Sequence, residues 1–236
     1  MPISARQKLE TRGEEYLYWV QAFTQHHKRN PGSDPGHDLA HVTRVWSNCF
    51  EIAREEEDGV DLSILAAMAF FHDFCALPKG VDREGGAAIT VAAASATLSD
   101  LAFPQSKLKI ALDGIQTHRF SSGLAPNSRE AAILQDADRL DAIGGIGIAR
   151  LFYVAGQMGS QIYSTDDPFA EQRPLDGRAF ALDHFREKLF RVPDRMNTPC
   201  GKRLALQRLK PLKVFLDSLA VEITCSSALA PRPIPS

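Results

Sequence analysis

The residues of this chain best equipped for chemistry are histidines and aspartates placed where water is not expected. His72 and Asp73 stand side by side at the end of an apolar run, residues 62–71, whose core Ile64-Leu65-Ala66-Ala67-Met68-Ala69-Phe70-Phe71 reads as a buried helix. His72 follows Leu65 by seven residues and Ala69 by three, so helical periodicity turns it to the packed face. An ionised aspartate beside it is costly there unless paired. His41 lies on a second apolar stripe, with Val45, Cys49 and Ile52 spaced by four, four and three, and Asp136 lies on a third, with Ile133, Leu140 and Ile143. Taken singly, an inward histidine is more often a hydrogen-bonded core residue than a ligand, and a buried aspartate more often caps a neighbouring helix. Two imidazoles and two carboxylates converging in an apolar interior are another matter, because they leave negative charge uncompensated unless a cation is bound. A divalent ion accepts all four, so the expected ligands are His41, His72, Asp73 and Asp136. Histidine and carboxylate without thiolate suit Mn, Fe, Co, Zn or Mg and do not choose among them.

Helices must position those groups, and periodicity supplies them. Amphipathic spacing over residues 5–27, with Leu9, Tyr16, Trp19, Val20 and Phe23, gives a first helix that stops at Asn30-Pro31-Gly32. A second is expected over 37–57 and a third over 62–75 with Asp61 as N-cap, followed by a turn at Leu77-Pro78-Lys79-Gly80. Residues 87–98 and 107–118 read as helices, His118 closing the latter much as His72 closes its own. Asn127 is expected to cap the next helix with Glu130 reaching back. The cluster Gly144-Gly145-Ile146-Gly147 reads as a tight helix contact and not a phosphate loop. Helix resumes over 148–158 and 180–190, separated by an irregular segment, 163–177. Thr198 and Pro199 open a final helix that Pro211 should kink, and residues 226–236 are expected to be a disordered tail. No stretch alternates long enough for a sheet and no repeat is present, so the expected fold is all-α, in a single domain over residues 1–225.

Composition narrows the function. At 236 residues, 44% apolar and 24% charged, the chain can bury one good core, and a net charge of −2 provides no basic footprint for nucleic-acid binding. No apolar run approaches membrane-spanning length and the first residues lack a signal-peptide pattern, which points to the cytoplasm. The four cysteines form no CxxC and suggest neither a disulfide framework nor a thiolate zinc site.

The order His41, His72-Asp73, Asp136 resembles the H…HD…D signature of the HD-domain superfamily of metal-dependent phosphohydrolases. The stretches His37-Asp38-Leu39-Ala40-His41-Val42-Thr43-Arg44-Val45 and Gln135-Asp136-Ala137-Asp138-Arg139-Leu140-Asp141-Ala142-Ile143-Gly144, with Asp167-Pro168-Phe169 and Arg173-Pro174-Leu175-Asp176, are similar to the YedJ/YpgQ-like bacterial branch, over residues 17–222. The resemblance implies an HD-type helical bundle, a divalent metal on His41, His72, Asp73 and Asp136, and hydrolysis of a phosphoester or phosphoanhydride, above all in a nucleotide. Asp73 then belongs to the catalytic centre, and Asp138, one position off the buried stripe, is either a proton acceptor or half of a structural ion pair. Lys79, Arg139 and Lys188 are candidates to bind the substrate's phosphates, each also readable as a surface charge or local salt bridge. His118 reads as a second-metal or phosphate contact, or as a satisfied core histidine. Arg44, three residues after His41, is expected to orient a carboxylate ligand. Segment 163–177 is expected to be a lid over the metal site placing Arg173 or the following Lys188 toward the phosphates, or else a surface loop joining two helices. One departure stands out: Phe74 to Pro78 offers no carboxylate near the His-Asp pair, and Gly80-Val81-Asp82-Arg83-Glu84-Gly85-Gly86-Ala87-Ala88 stands where relatives of that branch tend to carry polar His, Arg and Ser residues. It leaves open a rival reading, an HD protein that senses a nucleotide or metal without turnover, and a plainer one, a helical scaffold with a structural metal.

Overall fold

The apolar run around Leu65 becomes the helix on which its neighbours pack. In the computed structural model, which describes residues 14–31, 38–56, 59–74, 83–118 and 124–227, the elements in order are α1 (Glu14–Arg29), α2 (Leu39–Glu55), α3 (Leu62–Phe71), α4 (Arg83–Asp100), α5 (Gln105–Thr117), α6 (Arg129–Asp141), α7 (Gly144–Met158), the short α8 (Asp183–Glu187), a 3-10 turn (Leu189–Arg195) and α9 (Pro199–Ser227). The fold is all-α: among the described residues there is no strand, only an isolated bridge between Gln161 and Phe180. No described helix is long and apolar enough to cross a membrane. The residues before Glu14, Lys79 with its expected turn, and residues 228–236 lie outside the described residues, while Ser226 and Ser227, expected in the disordered tail, end α9. The chain divides into two compact units, residues up to 141 with 192–204, and 142–191 with the residues from 205 on.

In the first unit all ten residues of α3 are buried, and it packs on α1, α2, α4, α5 and α6. A helix with no wet face must satisfy its end groups locally. Asp61 does so at the start, its carboxylate accepting the N–H groups of Ser63 and Ile64 at 2.8 and 3.2 Å. At the other end the helix stops at Phe71, four residues short of the expected 75, because His72 folds back as the cap and its Nδ1 donates to the Ala69 carbonyl at 2.9 Å. Phe23 of α1 packs edge-on against Phe71, ring centroids 5.1 Å apart. The start of α6 also departs from expectation. Ser128, not Asn127, caps it by accepting the Ala131 N–H at 3.0 Å, and Glu130 is drawn away to accept the Asp61 N–H at 2.9 Å, tying α6 to the start of α3.

The second unit contains α7, α8 and the later part of α9, with Phe185 and Phe215 stacked at 5.9 Å. Its segment 163–177 is irregular, as expected, and is organised by Asp167, whose carboxylate accepts the N–H groups of Glu171, Gln172 and Arg173. The helix expected over 180–190 is reduced to α8 and the 3-10 turn, Pro193 lying within the latter. Thr198 caps α9 as expected, its hydroxyl accepting the Gly201 N–H at 2.9 Å, and the helix continues through Pro211.

Candidate metal centre

Two helices in the first unit meet through residues three apart. On α2 these are His41 and Arg44; on α6 they are Asp138 and Asp141, a spacing that puts each pair on one face. His41 is buried, its position fixed by Asp38, which caps α2 by accepting the His41 N–H at 2.9 Å. Its Nδ1 donates to Asp141 Oδ2 at 2.8 Å, and Arg44 donates to both oxygens of the same carboxylate at 2.7 and 3.0 Å. Burial alone would raise the Asp141 carboxyl, but hydrogen bonds from His41 and Arg44 outweigh it and hold it far below the usual carboxylate range.

The Nε2 atoms of His41 and His72 lie 3.2 Å apart. Since a carboxylate and a carbonyl can only accept, both Nδ1 atoms carry the proton and both Nε2 atoms of the neutral rings present lone pairs to one another. Around them, Asp73 Oδ2 stands 4.0 and 3.7 Å from the two nitrogens, and Asp138 Oδ1 stands 3.8 Å from each. Facing lone pairs ringed by carboxylates repel unless a positive charge sits among them. Two nitrogens each about 2.1 Å from one ion must lie within about 4.2 Å of each other, and 3.2 Å satisfies this. The donor set therefore fits a divalent cation. Protonation of His72 does not substitute easily, since burial lowers its pKa to about 4 against the opposing pull of Asp73.

His118 repeats the device of His72: its Nδ1 donates to the carbonyl three residues back, Ile115, at 2.5 Å, which aims Nε2 at Asp73 Oδ1, 3.3 Å away. Burial works against charging this ring, but the hydrogen bond and charge of Asp73 prevail and its pKa is raised. One oxygen of Asp73 thus faces His118 while the other faces the paired imidazoles.

Asp136 is not in this cluster. Its side chain is buried, but it points to the start of α9, accepting the N–H groups of Asn197 and Thr198 at 2.8 Å each, the Thr198 hydroxyl at 2.8 Å and the Asn197 side-chain amide at 3.0 Å. The approach is so close that a Cβ on Gly201 would fall 2.5 Å from Asp136 Oδ2. Asp138, not Asp136, stands beside the paired imidazoles, because two residues along a helix turn a side chain to a different face. Arg139 joins the Asp136 network and donates to the Arg195 carbonyl at 2.5 Å and to Gln135 at 2.9 Å. Its guanidinium is engaged with Arg195, Gln135 and Asp136 and also feels the charge of Asp138. Asp141, absent from the expected ligands, was legible only as the residue three past Asp138.

Of the remaining expected residues, Lys79 lies outside the described residues, and Arg173 and Lys188 belong to the second unit. Arg173 donates to both oxygens of the buried Asp183 at 2.5 and 2.8 Å, with its guanidinium 4.4 Å from the Phe180 ring centroid. Burial pushes the Asp183 carboxyl up, but Arg173 and the Asp176 N–H prevail and its pKa is lowered. A depressed carboxylate stabilises the fold above its unfolded pKa of about 3.9, and that contribution is lost as pH falls through the folded value. Arg173→Ala is thus expected to lower stability at neutral pH, with the gap from the unmodified chain closing below about pH 4; urea unfolding at several pH values reads it. A pH-independent gap would contradict the pairing.

Arg44 and Asp141 lead to a milder expectation at the metal centre. Arg44→Ala or Asp141→Asn leaves every ligand atom in place but frees the His41 ring to rotate, so affinity for Mn should fall roughly 10- to 100-fold without vanishing. Titration of the chelator-stripped protein with Mn measures it, and an unchanged affinity in both variants would refute the orienting role.

A helical bundle that gathers two histidines and two aspartates in this way defines a class, and the HD domain model matches residues 38–143. The chain belongs to the HD-domain superfamily. It is 31% identical over 219 residues to YpgQ of Bacillus subtilis, covering 89% of this chain and 93% of that protein. The crystal structure of YpgQ in complex with ADP matches with a TM-score of 0.67 and 27% identity over 88% of this chain and 96% of that one. An HD-superfamily hydrolase of Bacillus thuringiensis matches with a TM-score of 0.64 and 27% identity, covering 89% and 97%. This membership supports metal-dependent phosphohydrolysis as the general activity.

Proposed function

We propose that the chain is a phosphohydrolase that cleaves a phosphoester or phosphoanhydride bond of a nucleotide, with one divalent ion held by His41, His72, Asp73 and Asp138. The observation that carries this reading is the pair of Nε2 atoms 3.2 Å apart beneath the two carboxylates. An ion bound there supplies positive charge to a phosphoryl oxygen and acidifies water. The protein's own part is orientation. Asp141 and Arg44 lock the tautomer and angle of His41, the Ala69 carbonyl locks His72, and His118 holds Asp73 so that one oxygen stays turned inward. Asp138, the more solvent-accessible of the two carboxylates, with 25% of its side chain exposed against 18% for Asp73, is placed to take a proton from an incoming water. A nucleotide is favoured as substrate because YpgQ, similar over nearly its whole length, has been crystallised with ADP.

The test is metal analysis followed by incubation with Mn, Mg or Co and a panel of nucleoside mono-, di- and triphosphates, reading phosphate and pyrophosphate separately. Metal-dependent release of either product from a nucleotide is expected. Tight nucleotide binding with no product under any metal would overturn the hydrolytic reading in favour of a sensor.

A further inference from the structure

Helix α3 ends at the His72-Asp73 pair, so the carbonyls of its last turn bear directly on where those two side chains point. A helix leaves such carbonyls without donors of its own. That of Ala69 receives the Nδ1–H of His72 at 2.9 Å, and that of Phe71 receives the Phe74 N–H at 3.3 Å, both from residues just beyond the helix. The carbonyl between them, of Phe70, is reached from another helix: Nε2 of His27, in the last turn of α1, lies 2.8 Å from it. A carbonyl only accepts, so this Nε2 carries the proton and donates. The same imidazole lies against residues on both sides of the pair. Its centroid is 5.8 and 5.6 Å from the rings of Phe70 and Phe71, which precede His72, and 5.5 Å from that of Phe74, which follows Asp73. His26 adds a second ring 5.6 Å from Phe74.

A carbonyl at a helix end that loses its donor tilts outward to water and takes its peptide plane with it. At Phe70 that plane is next to the Ala69 carbonyl that anchors His72, so the tilt moves the imidazole whose Nε2 stands 3.2 Å from that of His41. Contacts that orient a ligand without touching the ion typically govern affinity by roughly 10- to 100-fold, and a contact one step further out acts through the same lever with less force. We infer that His27 is a positioning residue for the metal centre: its hydrogen bond to Phe70 fixes the last turn of α3 and, through it, the directions in which His72 and Asp73 leave the helix. This role rests on the reading of His72 and Asp73 as metal ligands. It brings into the frame around the ion the end of α1, a helix that carries none of the four proposed ligands.

The experiment uses the full chain with His27→Phe, which keeps a ring but loses the donor, and His27→Gln, which keeps an N–H near the position of Nε2; His27→Leu stands in if the phenylalanine variant does not fold. In excess chelator, hydrogen exchange read by NMR should quicken in His27→Phe at the His72 N–H, bonded to Met68 at the end of α3, at least about fivefold more than at the Leu65 N–H, bonded to Asp61 at its start. Affinity for Mn, titrated into the chelator-stripped protein, should fall roughly threefold to tenfold in His27→Phe, the worth of one neutral hydrogen bond, and return to within about twofold in His27→Gln. Trp19→Leu supplies the comparison for a purely structural loss. It removes the α1 ring that packs on Phe23 and Phe103 and whose indole N–H has no hydrogen-bond partner among the described residues. This variant should lower the unfolding midpoint while leaving both the exchange ratio and the Mn affinity unchanged. Equal quickening at the two ends of α3 in His27→Phe, or an Mn affinity equal to that of the unmodified chain, would overturn the positioning role, as would Trp19→Leu reproducing the loss of affinity. Should the unmodified chain bind no Mn while His72 exchange still responds to His27→Phe, it is the metal reading that fails and not the tie from His27 to α3.

Discussion

Asp138→Ala yields a folded protein that keeps no divalent ion after dialysis and releases no phosphate or pyrophosphate. Truncation removes one of the two carboxylates facing the paired imidazoles, and the three groups left provide too little charge and too few donors to close the coordination. Stability without metal should scarcely change, because Asp138 is partly exposed and its loss relieves repulsion near Asp73. The readouts are metal content per chain, product release, and thermal unfolding in chelator. Metal content equal to that of the unmodified protein would remove Asp138 from the site.

Asp136→Ala has the opposite outcome. The carboxylate it removes accepts two backbone N–H groups, a hydroxyl and a side-chain amide at the start of α9 and lies beside Arg139, so truncation strands several buried donors and part of a buried charge at once. Losses of that kind cost about 3–5 kcal/mol. At about 2–4 °C per kcal/mol for a chain of this size, the unfolding midpoint should fall by roughly 6–20 °C. Metal bound per folded molecule should nevertheless stay near that of the unmodified chain. A variant with an unchanged midpoint and no metal would exchange the roles of the two aspartates.

The contrast between those two residues marks where sequence reasoning holds and where it stops. Periodicity correctly made Asp136 a buried residue, but on α6 burial extends almost all the way round, so that inward is not a single direction. Asp138 was set off the buried stripe because it is partly exposed, which is what the proposed role of a ligand open to substrate would require. His41 and His72 were legible because each sits at helical spacing from several apolar residues, and Thr198-Pro199 because a capping hydroxyl before proline starts a helix by local chemistry alone. Other features depend on residues far along the chain. Nothing local connects Glu130 to the Asp61 backbone or Arg173 to Asp183, and the tie between Asp136 and Asn197 spans 61 positions. The cap of α6 missed by one residue, Ser128 for Asn127, the usual latitude where two polar residues compete for one turn.

The uneven burial of the ligands also sets the direction of traffic. His41 and His72 are almost fully enclosed and anchored through their far ring nitrogens, whereas Asp73 and Asp138 are 18% and 25% exposed. Among the described residues, an ion held there would lie nearer to solvent on the side of Asp138 and Asp73 than on that of the imidazoles. Release would then be expected to begin at the carboxylates while the nitrogens still hold, with a chelator competing at that more exposed side. Time-resolved metal loss should accordingly quicken with chelator concentration, and lengthening Asp138 to glutamate should alter the rate of exchange more than the final occupancy.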